Sequence, residues 1–106
     1  MQTHNINILL ASPGDRHEDC IPEFFISLDK LSETIDKIRM ESDFDGKNDY
    51  YIFVLCPNKP IILNKHGDCD IWVSFDKDDI YIGYNQCTYE QLEEKIISVA
   101  NEKMKL

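Results

Sequence analysis

Asp70-Ile-Trp-Val-Ser-Phe-Asp76, then Lys77-Asp78, then Asp79-Ile-Tyr-Ile-Gly-Tyr-Asn85, form the segment from which the architecture follows. Both arms alternate in side-chain character with a period of two, the pattern of strands with one face buried. A hairpin centred on Lys77-Asp78 sets Ile71, Val73 and Phe75 opposite Tyr84, Ile82 and Ile80, which makes a core face. The other face then carries Trp72 opposite Gly83 and Ser74 opposite Tyr81, flanked by Asp70, Asp76 and Asp79. A four-residue loop in place of a two-residue one keeps the same pairing, so the face assignment does not depend on the turn.

Downstream, Thr88-Tyr89-Glu90-Gln91 fits a capping box, in which the Thr hydroxyl and the Gln amide each satisfy an orphan backbone donor. The helix it opens is expected to reach about Lys103, with Tyr89, Leu92, Ile96, Val99 and Ala100 facing inward. Lys103 and Lys105 suit the negative end of its dipole.

Upstream, Ile61-Ile62-Leu63 starts a strand and His66-Gly67-Asp68 turns the chain. Tyr50 to Cys56 is apolar at both parities, as in a strand buried on both faces. Ser42 to Asp49 reads as an acidic connector. Leu28, Leu31, Ile35 and Ile38 recur at helical spacing, predicting a helix from Asp29 to about Glu41 with Asp29 as N-cap. Phe24-Phe25-Ile26 fits a short strand or the staple before that helix, and Pro22 leaves Arg16 to Glu23 irregular. Asn5 to Ala11 is a strand stopped by Ser12-Pro13-Gly14-Asp15. These elements predict one α+β domain over residues 1–106, a largely antiparallel sheet with two helices packed on one face.

Composition narrows the function classes. Twenty acids against eleven bases give a formal charge of −9, which repels nucleic acid and anionic lipid and attracts basic partners. No apolar run reaches 18 residues, so no membrane span is expected. Met1-Gln2-Thr3-His4-Asn5 lacks the basic start of a secretory signal, and the expected location is cytoplasmic. Cys20, Cys56, Cys69 and Cys87 are scattered without a C-x-x-C pair, and reduced thiols are expected.

Motifs for catalysis are scarce. There is no G-x-S-x-G elbow, H-E-x-x-H or P-loop, so no enzymatic activity and no cofactor are expected. Two H-x-x-C pairs, His17 with Cys20 and His66 with Cys69, have ligand types suited to zinc, which leaves a small zinc-binding protein as an alternative. Known short zinc motifs pair Cys with Cys and His with His, so no metal ligands are assigned.

The acids form the stronger constellation. Glu41, Asp43, Asp45 and Asp49 crowd one connector, and Asp68, Asp70, Asp76, Asp78 and Asp79 crowd the hairpin that exposes Trp72 and Tyr81. Aromatic rings supply desolvated contact and the surrounding carboxylates steer a basic partner. Asp43, Asp45, Asp70, Trp72, Asp76, Asp79 and Tyr81 are therefore the candidate partner-binding residues.

Two resemblances follow from these residues. Ile6 to Asp19 resembles the opening strand and Ser-Pro-x-Asp turn of TIR-like effector domains of bacterial defence systems, which implies a nucleotide ligand and a parallel sheet. Ile71-Trp72-Val73-Ser74-Phe75-Asp76 is similar to the acidic hairpin of immunity proteins against ribosome-cleaving colicins. Size, acidity and the lack of catalytic motifs also resemble immunity proteins of contact-dependent growth inhibition and other polymorphic toxin systems. That resemblance implies a tight complex with a cognate nuclease toxin, most often an RNase, whose basic cleft the carboxylates cover.

Overall fold

The computed structural model describes residues 6–13, 20–41, 48–55 and 69–104. In chain order they form β1 (Asn7–Pro13), β2 (Cys20–Ser27), a 3-10 turn (Leu28–Lys30), α1 (Leu31–Glu41), β3 (Asn48–Leu55), β4 (Ile71–Phe75), β5 (Ile80–Ile82), β6 (Asn85–Cys87) and α2 (Tyr89–Met104). The strands make one sheet in the order β2-β1-β3-β4-β5-β6. Every pairing among them is antiparallel. The expected α+β class, with two helices on one face of an antiparallel sheet, is the observed one. The parallel sheet implied by the TIR-like resemblance is absent from the described strands, and the next described element after β1 is its antiparallel partner β2.

Strand parity explains the core. Ile8 and Leu10 of β1, Tyr50, Ile52 and Val54 of β3, Ile71, Val73 and Phe75 of β4, and Ile80 of β5 point to one side. There they meet Leu28, Leu31, Ile35 and Ile38 around α1, and Leu92, Ile96 and Ala100 of α2. The opposite side of the sheet carries a smaller cluster of Leu9, Ala11 and Phe53, against which Cys20, Tyr51, Leu55 and Cys69 pack. β3 is thus buried on both faces, as its double-parity apolar pattern implies.

The decisive hairpin pairs as read: Val73↔Ile82, Ser74↔Tyr81 and Phe75↔Ile80. Its loop has four residues, Asp76 to Asp79, closed by the Asp76 N–H donating to the Asp79 carbonyl at 3.1 Å. Asp76 Oδ1 also accepts from the N–H groups of Asp78 and Asp79 at 3.0 and 2.5 Å, an Asx-type turn. From the last turn of α1, Arg39 Nε and Nη2 donate to the carbonyls of Asp76 and Asp79, both at 3.1 Å, and hold the loop to the helix layer.

Three expectations change, and one strand forms that the sequence did not announce. Tyr84 does not face the core: Gly83, at φ +61°, starts a two-residue turn into β6, and Tyr84 is 87 % exposed. A positive φ at the first turn position is the type II′ geometry, which favours glycine there. β6 itself has no sequence signature, because Asn-Gln-Cys carries neither alternation nor β-branched residues. β2 begins at Cys20 and runs through Pro22. An edge strand tolerates a missing N–H, and Glu23 is absorbed as a bulge between the Leu10↔Phe24 and Ala11↔Pro22 pairs. Finally, Asp29 is not the N-cap. The 3-10 turn moves the boundary to Ser27, whose hydroxyl donates to the Asp29 carboxylate.

The capping box of α2 is formed. The Thr88 N–H donates to Gln91 Oε1 at 2.8 Å, and the Gln91 N–H donates to Thr88 Oγ1 at 3.1 Å. Thr88→Ala removes one of these two bonds, and the expected loss is about 1 kcal/mol. Urea unfolding followed by far-UV circular dichroism checks it; an unchanged midpoint would show that core packing alone fixes the start of α2. The expected strand at Ile61-Ile62-Leu63 and the turn at His66-Gly67-Asp68 lie outside the described residues.

Candidate interaction face

Both described helices lie on one side of the sheet, so the other side of β3, β4 and β5 is built by strand parity alone. Register places Tyr51 beside Trp72, and Asp49 beside Ser74. Ser74 in turn lies beside Tyr81, and Tyr81 beside Gln86. Two adjacent rows therefore read Tyr51-Trp72 and Asp49-Ser74-Tyr81-Gln86 across the strands. Ser74 is buried in its row, and its hydroxyl donates to Asp49 Oδ1 at 2.5 Å.

The turn that takes Tyr84 out of the core places its ring edge-on to Trp72, with centroids 5.4 Å apart and planes at 86°. This is the favoured arrangement of two ring quadrupoles. Tyr84 is absent from the residues picked out by sequence, because two-residue alternation assigned it to the core. The cue that could have found it is Gly83 followed by Asn85, a turn signal inside an apparent strand.

The negative charges around the rings act on their hydroxyls. Partial burial, then the charges of Asp76 and Asp79, then a hydrogen bond with the Asp76 carboxylate raise the Tyr81 pKa above its ordinary value. Burial first, then Cys20, Cys69 and Asp49, raise that of Tyr51. Both phenols stay protonated at neutral pH and can donate hydrogen bonds.

The sequence-derived site residues divide into three groups. Trp72, Tyr81, Asp76 and Asp79 come together at β4, β5 and their loop, where Asp79 Oδ1 accepts from Gln86 Nε2 at 3.0 Å. Asp70 stands at the start of β4 in a different setting: its Oδ2 accepts from the Val54 N–H at 2.7 Å and from Lys103 Nζ at 2.6 Å. Lys103 Nζ also donates to the Val54 carbonyl at 2.9 Å, so this carboxylate ties α2 and β4 to β3. Asp43 and Asp45 lie outside the described residues.

Cys20 and Cys69, the cysteines of the two H-x-x-C pairs, both pack on the small Leu9-Ala11-Phe53 cluster, while His17 and His66 lie outside the described residues. Among the described residues no three His, Cys, Asp or Glu side chains gather as a metal site. Burial pushes the Cys87 thiol pKa up, which makes it a poor nucleophile. No helix of the described residues is long and apolar enough to cross a membrane. No protein-family model matches this chain, no curated protein matches it, and no solved structure matches it.

Proposed function

We propose that this protein is an immunity-type inhibitor that binds a basic nuclease toxin through the face of β3 to β5 opposite the two described helices. The observation that carries the reading is the grouping of Trp72, Tyr81 and Tyr84 beside Asp76 and Asp79 on a sheet side that neither described helix covers. Tryptophan and tyrosine are the side chains most often found as binding hot spots, since each buries a large rigid area at low entropy cost. The carboxylates around them and the net charge of −9 favour a basic partner and speed its approach. The colicin-immunity-like hairpin and the small acidic chain support the toxin as that partner.

The test is a titration against the purified toxin domain encoded beside this gene, with protection of cells that express it. Trp72→Ala is expected to weaken the complex by about 2 kcal/mol, mainly through faster dissociation. Tyr84→Ala should also weaken it, and the melting temperature should hardly move because that ring is solvent-exposed. Asp78→Lys tests steering: Asp78 is exposed and, unlike Asp76, does not accept the loop's own hydrogen bonds. It should slow association and reduce its salt dependence, which screening over about 8 Å sets at physiological ionic strength. Full affinity and protection with Trp72→Ala and Tyr84→Ala combined would remove this face from the interface.

A further inference from the structure

The sheet ends in two edge strands of different character. One, β6, is three residues long. The other, β2, is eight residues long, and among the described strands only β1 pairs with it. The Leu28 N–H donates to the Ile6 carbonyl at 2.8 Å, one step beyond the Asn7↔Ser27 pair. Antiparallel pairs alternate between bonded and non-bonded, so Ile26 and Phe24 turn their backbone groups toward β1. Ser27 and Phe25 turn theirs outward, along the edge. Pro22 and the bulge at Glu23 blunt the first half of this edge, a usual protection of exposed strands. From Phe24 to Ser27 the register is regular, without charge or proline. Four large hydrophobic side chains are exposed among the described residues, and two of them, Ile21 at 50 % and Phe25 at 69 %, lie on β2.

We propose that a second copy of this chain pairs along β2, antiparallel and centred on Phe25, so that the two sheets join into one. The Phe25 N–H and carbonyl then bond the same groups of the second copy, and both Phe25 rings leave water together. On the helix side Phe24 comes to lie opposite Ile26 of the second copy. Charge selects this occupant. Glu23 is the only charged residue among the eight of β2, in a chain whose residues are 29 % charged. A basic partner finds little to hold there, whereas an identical uncharged stretch meets no repulsion at the contact. Centring on Phe25 sets Glu23 opposite Ser27 and keeps the two Glu23 positions about 14 Å apart along the strands, beyond the screening length of about 8 Å. The two-fold axis stands perpendicular to the sheet. The described helices of both copies therefore share one side, and both Trp72-Tyr84 pairs share the other. Dimerisation at β2 does not compete with binding at those rings.

Sedimentation equilibrium of the full chain should show a monomer–dimer equilibrium with a Kd on the order of 100 µM, since one edge buries less than the roughly 1,000 Å² of a stable interface. Added NaCl should tighten the dimer, because each copy carries a charge of −9 and salt screens their repulsion. A complex with a basic partner responds to salt in the opposite direction. Phe25→Lys should weaken dimerisation about tenfold and leave the melting temperature unchanged, because that ring is exposed in the monomer. Met40→Lys, a similar change at an exposed position of α1, should leave the dimer intact. Amide hydrogen exchange should slow at Phe25 and Ser27 as protein concentration rises, and stay constant along β6. A monomer at all concentrations up to about 1 mM, a dimer undiminished by Phe25→Lys, or exchange at Phe25 unchanged in the dimer would each overturn the proposal. None of these results bears on the toxin reading, which the titration of Trp72→Ala and Tyr84→Ala decides by itself.

Discussion

Phe75→Ala is expected to cost about 4 kcal/mol, the upper part of the range for truncating a fully buried phenylalanine. A domain of this size has about 5–15 kcal/mol of stability in total, so the variant should be marginally folded at 37 °C. The size of the effect follows from position. Phe75 is 0 % exposed, ends β4, pairs with Ile80 on one side and Asn48 on the other, and packs its ring tilted against Tyr50. Removing the ring leaves a cavity at the crossing of three strands, where the pinned hairpin loop resists collapse. Urea unfolding should show a much lower midpoint. Tyr84→Ala, in the same hairpin and on the same face by simple alternation, should change that midpoint little. Equal losses for the two would contradict the turn at Gly83.

Asp70→Ala is the second large effect, expected at about 2 kcal/mol of fold stability. Its carboxylate is 21 % exposed and the Lys103 side chain 34 %, so solvent weakens the ion pair but does not dissolve it. Truncation also strands the Val54 N–H in the middle of the sheet. Charge and hydrogen bond are lost together. Lys103→Met should cost less than Asp70→Ala, because it removes the ammonium and leaves the carboxylate bound to the Val54 N–H. A double-mutant cycle read by thermal unfolding measures the coupling directly. If Asp70→Ala left the melting temperature unchanged and weakened the toxin complex instead, Asp70 would return to the interaction face where alternation put it.

These two residues show where a sequence pattern is informative and where it stops. Phe75 and Asp70 sit in one alternating segment, and parity correctly separates the core side from the other side. Parity cannot say what stands on that other side. Asp70 meets Lys103 across 33 positions of chain, a contact that exists only because α2 folds back along the sheet. A carboxylate in an acidic hairpin looks the same whether it faces solvent or a lysine of a distant helix.

Elements with local signals are legible in the chain alone: the β4–β5 pairing, the capping box of α2, the inward stripe of each helix and the double-sided burial of β3. Each depends on hydrophobic period or on a turn within a few residues, so no distant contact is needed to define it. The remaining features depend on long-range packing. Packing admitted Pro22 into β2 by placing that strand at the sheet edge, and it turned the chain at Gly83 so that Tyr84 met Trp72. Strand order and register set these meetings, and neither is encoded by any single segment, because each arises when a whole face of the sheet is buried at once.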